Sequence, residues 1–407
     1  MPVSVSRHLA LVAVPAGRSD DGRIRAMSTQ YAFSSPSRYV QGKNALAELP
    51  TYLEPLGTKP LLIADDTVWG LVDGTIESSF AEAGLDVVRE SFSGFATPET
   101  IDGLVSTIES GGHDVIVGLG GGSAIDSAKA AGHKAGIKWA SIPTAASSDA
   151  PTSGLSVVYT ADGEFLEYRF FHKNPDLVLI DTQLVANAPV NFLVAGIGDA
   201  LATWVEARAT ARGTGETMSG GRPTQAGTAL AHLSWEILHE NAFAALDAVD
   251  AKTVTPALEA VVEANTLLSG LGFEAGGLAA AHAIHDGLTA VPQTHGLAHG
   301  QKVNVGTLAQ LIMEGADSDE IEDFIEFTTR VGLPNTLTEV GLSPDDEKEL
   351  QAVAKAATVP EETIHNMPFP VTPEMVVDAL RAVEAVSRRV RAERGLPEPK
   401  KYEAKGH

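Results

Sequence analysis

Residues 114–156, DVIVGLGGGSAIDSAKAAGHKAGIKWASIPTAASSDAPTSGLS, decide how the rest of the chain reads. The apolar run Val115-Ile116-Val117 passes into Gly118-Leu119-Gly120-Gly121-Gly122-Ser123, after which Ala, Ile and Lys recur at helical spacing. The order predicted is strand, glycine turn, helix. Such a junction is an anion site. Glycines let backbone N–H groups approach a phosphate closely, and the first helical turn adds unpaired N–H groups and the positive end of its dipole. Ser123 reads as the N-cap and Asp126 as an acidic residue of the first turn. A second strand over 139–142 ends at Pro143-Thr144 and leads into Thr144, Ser147, Ser148 and then Asp149. Polar groups past the C-terminal ends of strands are where open α/β sheets hold ligands.

Upstream, 59–63 reads as a strand ending in Ala64-Asp65-Asp66, and 86–92 as another. An acid just past a strand can accept the hydroxyls of an adenosine ribose and would repel a 2′-phosphate, which makes Asp65 a candidate for an NAD site. Thr97-Pro98 opens a helix with Ile101, Leu104, Val105 and Ile108 on its buried face. Downstream, 155–160 and 164–170 alternate about Ala161-Asp162-Gly163 as a hairpin, and 175–181 reads as a buried strand closing the sheet. The fold class expected is therefore an N-terminal Rossmann-like α/β domain with a parallel sheet, lacking the usual G-x-G-x-x-G spacing. From Pro189 onward helix patterns take over, at 199–211, 225–241, 255–269, 277–289, 303–313, 319–331, 343–357 and 373–395, so the second domain is all-α and the active-site cleft falls between the two. The divisions expected are an extension at 1–30, disordered if Met27 is the true start, an NAD-binding domain at 31–188, a helical metal- and substrate-binding domain at 189–396, and a frayed tail at 397–407. The glycine-rich stretch 212–223 reads as a loop.

The chain has 407 residues, 44% of them hydrophobic, with a net charge of −24 and no cysteine. That length supports two cores. The charge argues against nucleic acid, whose affinity comes from Lys and Arg neutralising phosphates. No apolar run reaches the roughly 20 residues that cross a bilayer, and 9–16 lacks the marks of a secretory signal, so a cytoplasmic protein without a membrane partner is expected. The acidity also suits a salt-rich cytoplasm, where charge is screened over about 3 Å at 1 M salt. Without thiolates, any metal must be held by His, Asp, Glu or backbone oxygen. The candidates are Asp199, at the expected start of a helix, His282 and His285 three apart on another, and His295 and His299 beyond a short loop. Spacing alone does not choose among the histidines.

The runs GLGGGSAIDSAK, IPTAASSDAPTSGLSVVYT, FLVAGIGDALATWVEA, ANTLLSGLGFEAGGLAAAHAIHDGLT, HGLAHGQKV and ETIHNMPFPVT resemble the glycerol dehydrogenases of the iron-containing alcohol dehydrogenase superfamily. The resemblance runs from about Tyr31 to near Arg389. It implies reversible oxidation of glycerol, a small polyol, to dihydroxyacetone, with NAD as acceptor and one zinc ion per subunit polarising the substrate hydroxyl; iron is the less favoured metal. It also implies a homo-oligomer. Carried over by position, Asp199, His282 and His299 resemble the zinc ligands and Asp149 the polyol-binding acid. Asp65 resembles the ribose acid, Gly121, Gly122 and Ser123 the pyrophosphate turn, and Thr144, Ser147, Ser153, Leu155 and Tyr159 further cofactor contacts. Ser123 stands where many relatives carry lysine, which removes a cation near the pyrophosphate. Thr203 stands where iron-dependent cousins carry a histidine. A dehydrogenase for glycerol 1-phosphate or another diol, a lyase of the same architecture, and a nucleotide- and metal-binding protein without turnover are the alternatives.

Overall fold

A computed structural model describes residues 29–402 apart from 162 and 164. The expected extension therefore lies almost wholly outside the described residues, as do 403–407. The sheet half contains β1 (Tyr39–Gly42), α1 (Leu49–Leu53), β2 (Pro60–Ala64), α2 (Asp66–Glu82), β3 (Arg89–Ser91), α3 (Pro98–Gly111), β4 (Val115–Gly120), α4 (Gly122–Ala135), β5 (Lys138–Pro143), β6 (Leu155–Tyr159), β7 (Phe165–Phe170) and β8 (Leu177–Asp181). Six strands form one all-parallel sheet in the order β1-β8-β5-β4-β2-β3. β2, β4 and β8 are buried at every residue, which is why they read as unbroken apolar runs and not as alternating ones. β8 lies inside the sheet, between β1 and β5, so it does not close an edge as the sequence suggests; the short β1 takes that place. β6 and β7 pair antiparallel as a separate hairpin.

After β2 the chain steps outward to β3 and then returns across β2 to lay down β4. The strand order thus reverses between β2 and β4, and the crevice at their C-terminal ends is the topological switch point where such sheets take ligands. Asp65 and the glycine turn stand at those two strand ends.

The helical half comprises α5 (Thr182–Asn187), α6 (Val190–Arg212), α7 (Gln225–Asp250), α8 (Pro256–Glu263), α9 (Ser269–Gly276), α10 (Ala280–Thr289), α11 (His299–Glu314), α12 (Ser318–Val331), α13 (Glu347–Ala357) and α14 (Pro373–Arg394). A π-helical turn, Ala264–Leu268, joins α8 to α9. α6 has the length and apolar content of a membrane-spanning helix, yet 78% of its apolar stretch is buried inside the protein, as befits a central core helix. It begins at Val190, so Asp199 lies inside it and not at its start. Gly196 and Gly198, which precede the helix start read from the sequence, serve close packing inside α6. A Cβ on Gly196 would meet the carbonyl of Ala146 at 2.0 Å, and one on Gly198 would meet that of Gly300 at 2.4 Å. Gly300 reciprocates, since its Cβ would fall 1.8 Å from the carbonyl of Ala195. α6 and α11 therefore cross backbone against backbone.

The tail differs from expectation through Tyr402, whose amide donates to Glu339 O (2.9 Å) and whose hydroxyl donates to Gly332 O (2.7 Å). A buried pair, Arg391 and Glu339 at 2.8 Å, underlies that contact.

Gly300→Ala is expected to lower the unfolding free energy, read as a lower denaturant midpoint, by at least the roughly 1–3 kcal/mol typical of overpacking. Gly70→Ala, in α2 where a Cβ meets nothing within 4 Å, should be neutral or slightly stabilising. Equal midpoints for Gly300→Ala and the unaltered protein would refute the close crossing.

Candidate metal and cofactor site

Asp199, His282 and His299 bring one ligand atom each within 4.8 Å of one another. Three helices supply them: α6 carries Asp199, α10 carries His282 near its start, and α11 opens with His299. Nε2 of His282 and Nε2 of His299 stand 3.3 and 3.0 Å from the same oxygen, Asp199 Oδ1. Asp199 is fully buried, and that oxygen lacks a well-formed hydrogen bond. A buried carboxylate oxygen faced by two ring nitrogens is a poor hydrogen-bonding arrangement and a good donor set for a divalent cation. Burial alone would raise Asp199, but the imidazoles of His299 and His282 overcome it and hold the carboxyl well below its ordinary range. His299 is 41% exposed and leaves one side of the cluster open. His295, the rival candidate, is turned away, with Nε2 2.9 Å from Thr289 O on the exposed surface. His285 packs its ring 4.2 Å from that of His299 and pairs through Nδ1 with Asp286 at 2.9 Å.

Glu206, two helical turns beyond Asp199, is missing from the sequence-based candidates. It is fully buried. Oε1 accepts from the amides of Ala279 (2.8 Å) and His282 (3.0 Å), and so satisfies free N–H groups at the start of α10. Oε2 stands 2.5 Å from Nδ1 of His282. A carboxylate only accepts, so Nδ1 carries a proton, and Nε2, directed at Asp199, is the atom that would ligate a metal once it gives up its own. Burial would lower His282, but Glu206 first and then Asp199 hold it well above the usual histidine range. The signal was present in the sequence as one acid in an apolar helix, on the same face as Asp199.

Asp149 connects the two halves. Its amide donates to Asp199 Oδ2 at 3.2 Å, and its own Oδ2 accepts from the Ser269 hydroxyl at 2.8 Å. Ser269 Oγ is in turn 2.8 Å from Thr203 Oγ1, so Thr203 belongs to a hydroxyl chain that holds Asp149. Burial, and next the Asp199 carboxylate, raises Asp149 well above the usual carboxylate range. Lys302, close to Asp286, is brought down to about 8 by burial. Burial also raises Glu362 to about 9, with Asp286 adding to the shift.

On the sheet side, α4 starts at Gly122 with Gly121 as N-cap, and Ser123 falls inside the helix. Asp126 is buried and paired with Lys129 at 3.1 Å, so it is no solvent-facing first-turn acid. Gly120 adopts φ +136°, a value that requires glycine. Cβ atoms on Gly121 and Gly122 would meet nothing within 4 Å, so open space lies before an uncapped helix start. Asp65 caps α2 by accepting from Val68 N (2.8 Å), while its other oxygen lies 3.9 Å from where a Gly120 Cβ would be. The ribose acid and the phosphate turn of the sequence reading thus adjoin, and the space fits a dinucleotide. Thr144 and Ser147 are half-buried on the loop after β5. Leu155 packs with Phe273 and Leu278 across the halves, and the Tyr159 ring is 5.7 Å from that of Phe95. Ser153 is fully buried, with its hydroxyl donating to Ala150 O (3.2 Å) and accepting from Lys129 Nζ (3.2 Å). Lys129, also missed, donates further to Ala150 O (2.8 Å) and Leu155 O (2.6 Å), and so fixes the loop behind Asp149.

Known proteins resemble the chain along most of its length. The family model for iron-containing alcohol dehydrogenase matches residues 36–182. A glycolaldehyde reductase of Halobacterium salinarum is 49% identical over 88% of this chain and 98% of its own. A glycerol dehydrogenase of Escherichia coli is 47% identical over 87% and 97%. The crystal structure of glycerol dehydrogenase from Schizosaccharomyces pombe superposes with a TM-score of 0.89 at 40% identity, covering 93% of this chain and 96% of that one.

Glu206→Gln is expected to weaken divalent-metal binding by roughly 10- to 100-fold, the range for partners that orient a ligating histidine. Titration calorimetry on chelator-stripped protein measures it, with circular dichroism to show that α10 still forms. Unchanged affinity would mean that Glu206 does not orient His282.

Proposed function

The chain belongs to the iron-containing alcohol dehydrogenase family, and we propose that it catalyses the reversible oxidation of glycerol by NAD, giving dihydroxyacetone, NADH and a proton. One observation carries the reading. The three-residue donor set is tied directly to Asp149, a buried acid on the loop after β5, which starts beside the cofactor turn with Thr144 N 3.4 Å from Gly120 O. Asp199, His282 and His299 would hold the ion, and Asp65, Gly121, Gly122, Ser123, Thr144, Ser147, Ser153, Leu155 and Tyr159 would face or support NAD. When bound, the ion supplies Lewis acidity to a substrate hydroxyl and the nicotinamide supplies the hydride acceptor. Asp149, held by Ser269, orients a neighbouring hydroxyl, a role for which a vicinal diol is suited. Leu155, Phe273 and Leu278 pack as an apolar cluster joining the two halves.

Zinc is the metal proposed. Its catalytic sites keep three protein ligands and one open position, and Thr203 offers no fourth imidazole. Two histidines and one carboxylate also suit ferrous iron, which metal analysis of the purified protein distinguishes. Residues 31–188 and 189–396 would serve as the cofactor and metal halves of a cytoplasmic homo-oligomer.

A second reading rests on the 49% identity to a glycolaldehyde reductase. The same site run in reverse would reduce a two-carbon hydroxyaldehyde to its diol, with Asp149 again holding the adjacent hydroxyl. Glycerol 1-phosphate suits the site less well, because a phosphate dianion calls for several converging Arg or Lys and the histidine cluster is faced by Lys302.

NADH formation with glycerol should vanish with chelator and return with zinc, and Asp199→Ala should lose both metal and turnover. Retention of metal and rate by that variant would overturn the ligand assignment. Faster NADH consumption with glycolaldehyde than with dihydroxyacetone, each at saturation, would favour the second reading.

The net charge of −24 supports a further expectation, adaptation to high salt. Thermal midpoints should rise between about 0.1 and 1 M potassium chloride, over which the screening length falls from about 10 to about 3 Å. A midpoint independent of salt would remove that idea.

A further inference from the structure

Arg89 projects from β3 toward the residue that begins the cofactor crevice. β3 runs parallel to β2 with Arg89 opposite Leu62 and Ser91 opposite Ala64. The guanidinium lies 5.0 Å over the ring of Trp69, and its Nη2 donates to Ala64 O at 2.9 Å and to Asp66 Oδ1 at 2.5 Å. One nitrogen therefore contacts the residues on both sides of Asp65. Ser91 Oγ donates to the same Asp66 oxygen at 3.0 Å, so the Asp66 carboxylate is fixed from two directions. The Arg89 side chain is 20% exposed and that of Asp66 81% exposed. A planar, permanently charged group is thus anchored by stacking and by a backbone carbonyl, while an outward-facing carboxylate neutralises it.

We propose that Arg89 is a preplaced ligand for the 2′-phosphate of NADP that Asp66 holds out of use, and that Asp66 and Asp65 together set the preference for NAD. The inference rests on the reading of Asp65 as the ribose carboxylate. If Asp65 accepts the ribose hydroxyls, the 2′ position falls beside the strand end that Arg89 flanks, where an arginine accommodates a 2′-phosphate in this class of sheet. The dianion would meet two carboxylates there, with the neighbouring cation already paired. Trp69 and the Ala64 carbonyl keep the guanidinium in place without Asp66, so removing that acid frees donors whose direction is already set. The Asp66–Arg89 pair is largely solvent-facing, and such pairs add little to stability. Its loss should leave the fold intact.

The test is fluorescence titration of NAD and NADP into the purified protein, with no turnover needed. The variants are Asp65→Ser/Asp66→Asn, which keeps an N-cap for α2, and the same pair with Arg89→Gln. The unaltered protein should prefer NAD. The double variant should bind NADP about 10- to 100-fold more tightly than the unaltered protein, the range for one or two charge-assisted hydrogen bonds. Arg89→Gln should remove most of that gain while the thermal midpoint stays close to that of the double variant. An equal gain with Gln at 89, or no gain in a folded double variant, overturns the proposal. If the unaltered protein binds neither dinucleotide, the cofactor reading itself fails, a separate outcome.

Discussion

Two helices that touch backbone to backbone set the geometry of the site. At the crossing of α6 with α11 no side chain separates Gly198 from Gly300, and a Cβ on Gly300 would also fall 2.9 Å from the amide of Asp199. Asp199 and His299 flank those glycines in sequence, so the crossing distance fixes how far their ligand atoms lie apart. A side chain at either glycine would separate the helices by more than a metal–ligand bond can stretch. His282 is brought in from a third direction through Glu206, which sits further along the same α6. The donor set therefore follows from helix packing, with the pinned loop of Asp149 adding one amide to Asp199.

Burial of charge is the second theme. Asp126, Lys129, Asp149, Asp199, Glu206 and Glu274 are almost wholly out of water, and each is matched by donors or opposite charge. Such groups cost several kcal/mol each if left unpaired, so they persist only where partners are rigidly placed. Lys129 holds Ala150, Ser153 and Leu155 from the sheet side. Glu274 on α9 accepts from Gly154 N (3.1 Å) and Asn174 Nδ2 (2.5 Å) from the helical side, and its burial raises it to about 7. The loop carrying Asp149 is thus pinned by both halves.

Much of this was legible in the sequence, for reasons that differ by element. The buried strands β2, β4 and β8 announce themselves as apolar runs, and Thr97-Pro98 and Thr255-Pro256 mark helix starts that the structure reproduces, whereas Ser343-Pro344 does not open α13, which is capped by Asp346 and starts at Glu347. What failed to show was tertiary in origin. The start of α6 reads as Asp199 and not as Val190, because the glycines before it have their packing partner, α11, about a hundred residues away. β8 read as a closing strand because β1 is too short to carry a period. Asp126 read as a helix-start acid because its buried position is decided by the hairpin strand β6 behind it, where Val157 donates to it at 3.1 Å. The choice of His299 over His295 comes from the resemblance and not from spacing, which does not encode the loop conformation that turns His295 toward Thr289 O.

Glu206 does two things with one carboxylate: an oxygen caps α10 and the other fixes the ring of His282. Such sharing restricts how the protein can change over evolution. Aspartate is one methylene too short to reach both partners from the same backbone position, and an amide would have to turn its nitrogen toward one set of donors. A substitution that adjusts metal affinity here also disturbs the helix that presents the ligand, so selection sees both effects at once. Adjustment of affinity through single changes is more open at the rim, around the partly exposed His299, than at the buried base of the site.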